Sequence, residues 1–239
     1  MVTFKKISAA VCSLLLLTFT VYLWAADSNL AKITFVLGKV EVKISGGWQP
    51  LKPGASVGQG STLRTGKKST VIVQLSPGTT LKLRENSEII LSQISASENA
   101  DNVVLNLTRG SVFSDVLKRT NNSKYTIKTA AVTAGVRGTN FFVATGEKIR
   151  QDKEPEVMMC VREGQIYVTS ASDKREVIID EGEGIVFTPQ SKIPSPEKLP
   201  WIANLNWNMD SGKGNVEDST SLKKAYRSSY KDKLNQNYD

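Results

Sequence analysis

Between Ile33 and Phe187 no stretch of this chain keeps a helical period long enough to make an amphipathic helix. Short runs of alternating apolar and polar residues stand there instead, each ended by glycine, proline or serine. Ile33, Phe35 and Leu37 alternate, and Gly38 then opens a run with Val40, Val42 and Ile44 on one face. Ser45-Gly46-Gly47, Lys52-Pro53-Gly54 and Ser76-Pro77-Gly78 are turns between such runs. A strand, a glycine and a further apolar alternation recur at Leu105–Phe113, Val161–Val168 and Ile178–Phe187. The spacing is not fixed, so this is not a strict repeat. It predicts stacked hairpins in an all-β fold, as a sandwich, a roll or a short solenoid-like wrap.

The central stretch runs from Tyr125 to Val143. Tyr125 and Ile127 alternate with Lys124, Thr126 and Lys128, as in a half-buried strand. Small residues follow from Ala130 to Gly135, and Gly135 and Gly138 bracket Val136-Arg137 in a tight turn. Thr139 to Val143 is rich in β-formers and predicts the next strand. Gly135, Arg137, Gly138 and Thr139 are therefore the first candidate site. Arg137, among small residues, is read as an internal tie to backbone carbonyls, with a clamp for a carboxylate or phosphate as the competing role.

After Phe187 the composition changes. Pro189, Pro194, Pro196 and Pro200 leave little room for a sheet interior. We place a β domain at residues 33–190, and a proline-rich linker and basic tail at 191–239. Trp201 and Trp207 are expected to close the end of the β core. Leu222, Tyr226, Tyr230 and Leu234 stand four residues apart, a narrow helical stripe and a candidate interaction surface.

Lys5 and Lys6 precede an apolar stretch from Ile7 to Ala26, a signal peptide cleaved near Ala25 or Ala26, or an uncleaved anchor. Either way residues from about Asp27 are expected outside the cytoplasm, with membrane contact only through residues 7–26 if these are kept. Cys12 falls in that segment, which leaves Cys160 without an intrachain partner. The net charge of +8 is concentrated towards the tail, and an exported chain without a basic stripe on its body does not suit nucleic acid. Histidine is absent, which removes the commonest general base and metal ligand. No cofactor and no metal site is expected: Asp180, Glu181 and Glu183 lack calcium-loop spacing, and no carboxylate pair is placed across a cleft.

Several segments together resemble the FecR domain. Gly38-Lys-Val-Glu-Val42 with Trp48-Gln-Pro-Leu51 is similar to its opening, and Leu63-Arg-Thr-Gly66, Leu75-Ser-Pro-Gly-Thr-Thr-Leu-Lys-Leu83 and Glu85-Asn-Ser87 to its most distinctive part. Leu107-Thr-Arg-Gly110 and Thr129–Phe141 resemble its second hallmark, and Glu163-Gly164 and Glu181–Gly184 its closing hairpins. The resemblance implies a periplasmic domain of a membrane-spanning regulator, whose cytoplasmic N-terminal region binds a sigma factor. Only Met1 to Lys6 precede the apolar stretch here. The expectation is thus a stand-alone, exported, non-enzymatic module that senses signals or binds an envelope protein. The alternative is a binder of envelope glycan or peptidoglycan, marked by exposed Trp or Tyr on one sheet face.

Overall fold

A computed structural model describes residues 30–44, 46–76, 78–96, 100–117, 123–147, 154–217 and 222. The signal segment, Tyr226, Tyr230 and Leu234 lie outside the described residues. The chain is all-β, and it passes repeatedly between two ladders. β1 (Leu30–Leu37) belongs to the first ladder, and β2 (Val40–Ile44) and β3 (Gly47–Pro50) to the second. β4 (Ser56–Gly58) returns to the first, β5 (Thr62–Thr65) to the second, and β6 (Thr70–Ser76) and β7 (Thr79–Leu83) form a hairpin in the first. β8 (Glu88–Ala96) pairs in the second ladder with the long β9 (Asp101–Val116). β10 (Lys124–Lys128) and β11 (Val132–Val136) stay in the second, and β12 (Thr139–Glu147) and β13 (Glu156–Glu163) cross to the first. β14 (Gln165–Ser170) with β15 (Glu176–Asp180), then β16 (Glu183–Phe187) with β17 (Glu197–Lys198), repeat that alternation.

The first ladder reads β4-β1-β6-β7-β9-β12-β13-β16-β17 and the second β3-β2-β5-β8-β9-β10-β11-β14-β15. β9 belongs to both, changing ladder at Gly110. This is a roll of hairpins with open edges, and one apolar cluster lies between its ladders. Ile33, Leu63, Leu81, Ile89, Leu105, Ile127, Phe141, Val143, Met159 and Ile166 are all in that cluster and at 0% exposure.

The first ladder is apolar on both faces, which explains the unbroken run Val157-Met-Met-Cys-Val161. Val157, Met159 and Val161 face the central cluster, while Met158 and Cys160 join Phe113, Phe142 and Ala144 on the outer side. Leu199, Trp201, Ile202, Leu205, Trp207 and Leu222 cover that outer side as a strap, part of it a 3-10 turn at Pro200–Asn204. Packing therefore continues past residue 190: Ile193 lies in the central cluster and Trp201 is 1% exposed. The two tryptophans close a sheet face, not the end of the core. Proline suits such a strap, since a segment laid across a face needs no ladder N–H.

Candidate interaction site

The family-like segments, far apart in sequence, meet at two corners where the chain changes ladder. At the first, Ser87 is fully buried; its N–H donates to Thr65 Oγ1 (2.9 Å), and Ser111 N–H donates to Ser87 Oγ (2.9 Å). Gly110 lies against this serine, with φ +81° and space for no side chain. At the second corner Thr139 Oγ1 donates to the Gln165 carbonyl at 2.8 Å, and a Cβ on Gly164 would fall 2.7 Å from the Gly138 carbonyl oxygen. Gly138 has φ +68°, as the turn requires.

Arg137 stands at the turn between β11 and β12. Its side chain is exposed, because the turn from β11 to β12 leaves one ladder for the other and carries its tip outward. The small residues before it do not enclose it. Gly135 sits within β11, opposite Thr126 on one side and Tyr167 on the other, with nothing within 4 Å of where its Cβ would stand. Leu222 of the tail stripe is buried in the outer cluster and is not presented to a partner.

Beneath the strap, Lys82 is fully buried on the outer face, in register with Phe113. Its ammonium donates to the carbonyls of Asn206, Asn208 (3.1 Å) and Val216 (3.2 Å), and stands 4.3 Å from the Phe113 ring centroid. Ionised donors make the stronger hydrogen bonds, so this lysine fastens the strap to the sheet. Lys82→Met should lower stability by about 1.5–3 kcal/mol, because it leaves buried carbonyls without a donor. A urea titration reads this directly, and an unchanged midpoint would show that water replaces the ammonium.

Beside the strap runs an open groove of about 1110 Å³, with Thr80, Asp115 and Asn140 in one cross-strand row along its floor. Asn140 Oδ1 is buried with no hydrogen-bond partner among the described residues. Burial pushes the Asp115 carboxyl above the usual aspartate range, Glu163 adds to the rise and Arg162 opposes it. The native chain thus holds this proton to higher pH than the unfolded chain. Stability falls as pH rises from the ordinary aspartate value through the raised one, and the loss persists above it. Asp115→Asn should melt higher than the parent at neutral pH, with the gap closing in acid; a gap constant with pH would rule out this titration.

Cys160 is fully buried beneath the strap, and burial pushes its thiol far above its ordinary range. Among the described residues no group of three or more His, Cys, Asp or Glu side chains could hold a metal ion. No described helix is long and apolar enough to cross a membrane.

The remaining feature is on the outer face of the second ladder. Thr126, Gly135, Tyr167 and Ile178 stand in register across β10, β11, β14 and β15. Tyr167 is 54% exposed and Ile178 47%, beside the bare backbone of Gly135. β15 pairs only with β14 among the described strands, so this row ends at an open edge. Sequence reasoning passed over both residues. The signal was present in Val177-Ile-Ile179: strand alternation puts the flanking residues on one face and forces Ile178 onto the other.

No curated protein matches this chain. Two crystal structures of a "putative anti-sigma factor" from Parabacteroides distasonis ATCC 8503 are similar at 16% and 17% identity, with TM-scores of 0.45 and 0.46. Each alignment covers 57% of this chain and 59% of the other, so the chain spans under two thirds of their length. The family model described as FecR protein matches residues 61–167, a span that holds both glycine corners and ends at Tyr167. From Ser61 to Tyr167, then, this chain is similar to the FecR family.

Proposed function

We propose that this chain is a non-enzymatic signalling module of the cell envelope that binds a protein partner through the outer face of its second ladder. The observation that carries the reading is the Gly135–Tyr167–Ile178 row at the free edge of β15. Both large apolar clusters are covered by the chain itself, whereas this row is left to solvent. An apolar patch that ends at an open sheet edge is an association surface. Export rests on Lys5, Lys6 and the apolar stretch behind them, and the mass of the mature N-terminus tests it.

The glycan reading needs presented aromatic faces. Trp201 and Trp207 are 1% and 7% exposed, and the Trp207 indole N–H already donates to the Ile202 carbonyl. Trp48 has the Arg64 guanidinium 3.7 Å above its ring. These indoles are committed within the fold, and the one exposed aromatic among the described residues, Tyr167, stands beside Ile178 rather than in an aromatic platform, which favours the protein reading. A photocrosslinking amino acid in place of Ile178 should capture one defined envelope protein in intact cells, and the same group in place of exposed Leu30 should not. Equal capture from both positions, or capture of cell-wall polymer alone, would overturn the reading.

A further inference from the structure

We infer that the partner binds as an extended segment added to β15 in an antiparallel ladder, with basic residues flanking a central apolar one. This rests on the protein-binding reading above and specifies the chemistry of the partner. The hydrogen-bonding parity of β15 fixes which groups are available. The N–H of Ser170 donates to the Arg175 carbonyl, so residues 170 and 175 form a hydrogen-bonded pair. Two residues further along each strand, Val168 with Val177 and Ile166 with Ile179 are bonded in the same way. The backbone groups of Glu176, Ile178 and Asp180 therefore point away from β14, towards the open side. Asp180 N–H is met by Glu183 Oε2 at 3.4 Å, and Arg175 Nη1 donates to the Ile193 carbonyl at 3.3 Å. Those two contacts close the ends of the edge and leave its centre, at Ile178, for an incoming strand.

The other ladder ends do not offer this. β4 has three residues and β17 two, too short to template a strand. β3 contains Pro50, which cannot donate, and has no large exposed apolar side chain of its own. β15 combines a free edge with an exposed apolar centre.

Its charges select the occupant. Glu176, Ile178 and Asp180 share the exposed face, so a carboxylate stands on either side of the isoleucine. A second copy of β15, paired antiparallel about Ile178, would set Glu176 against Asp180 twice, and directly opposed like charges destabilise a ladder. An added strand with Lys or Arg two residues before and after an apolar residue meets both carboxylates and covers Ile178. Its central side chain also reaches Tyr167, the cross-strand neighbour of Ile178.

The test uses the full mature chain and the peptide Thr-Lys-Thr-Val-Thr-Lys-Thr, with a Glu-for-Lys version as control. On titration to millimolar peptide, hydrogen exchange at the Ile178 amide should slow, while exchange at Val177 and Ile179 stays as it was. The basic peptide should bind about tenfold more tightly than the acidic one, since two cross-strand charge pairs change sign. Reversing Glu176 and Asp180 together to Lys should invert that preference, and N-methylation of the peptide residues facing β15 should abolish binding. An Ile178 amide that does not respond, equal binding of both peptides, or a dimer of the chain held through β15 would each overturn the inference. If crosslinking from position 178 captures a partner through a helical or acidic segment, the inference fails and the protein-binding reading stands; if no protein is captured, that reading itself fails.

Discussion

A chain ending at residue 190 is expected to lose its cooperative melt and to bind apolar dyes. The cut removes Ile193 from the central cluster and Leu199, Trp201, Ile202, Leu205, Trp207 and Leu222 from the outer one. Phe113, Phe142, Met158 and Cys160 would then face water. Burying one large apolar side chain contributes about 1.5–3 kcal/mol, so even four of these approach the roughly 5–15 kcal/mol that holds a whole domain together. Gly184 shows how closely the strap is fitted: a Cβ there would stand 2.6 Å from Leu199 Cδ1. Thermal melting, dye fluorescence and gel filtration of the truncated and full chains decide the matter. A truncated chain that melts as the parent does would restore the composition change at 190 as a true domain boundary.

The same strap shows what the sequence can and cannot convey. β content was legible because alternation is local: Val40, Val42 and Ile44, or Tyr125 and Ile127, declare their faces within a few residues. The corners were visible as segments but not as contacts. Thr65, Ser87 and Gly110 are separated by about twenty residues at each step, and only the ladders bring them together. The prolines after Phe187 correctly argue against a sheet interior, yet say nothing against a covering segment. Lys82 alternates with Leu81 and Leu83 and so reads as a solvent residue, because the strap that buries it is more than a hundred residues away. The exposure of Arg137 was hidden for the opposite reason. Its small neighbours suggested enclosure, but they pack within β11 while the turn itself points out.

The first glycine corner supplies the other large effect. Gly54 and Gly110 have nearly the same φ, +83° and +81°, but different surroundings. Nothing lies within 4 Å of a Cβ on Gly54. Gly54→Ala should therefore cost only the left-handed conformation of an L-residue, about 1–2 kcal/mol. A Cβ on Gly110 would stand 2.3 Å from Ser87 Oγ and 2.4 Å from Ser87 Cα. Trimming the serine cannot relieve that contact, because the Cα is backbone. Overpacking adds to the conformational cost, so Gly110→Ala should lose roughly 2–5 kcal/mol, enough to unfold a marginal domain. Gly110→Val should be worse, since a β-branched residue rarely tolerates positive φ. Equal losses for Gly54→Ala and Gly110→Ala in denaturant titrations would mean that φ alone keeps glycine at position 110. A larger loss at 110 assigns the requirement to the contact with Ser87, where β9 leaves one ladder for the other.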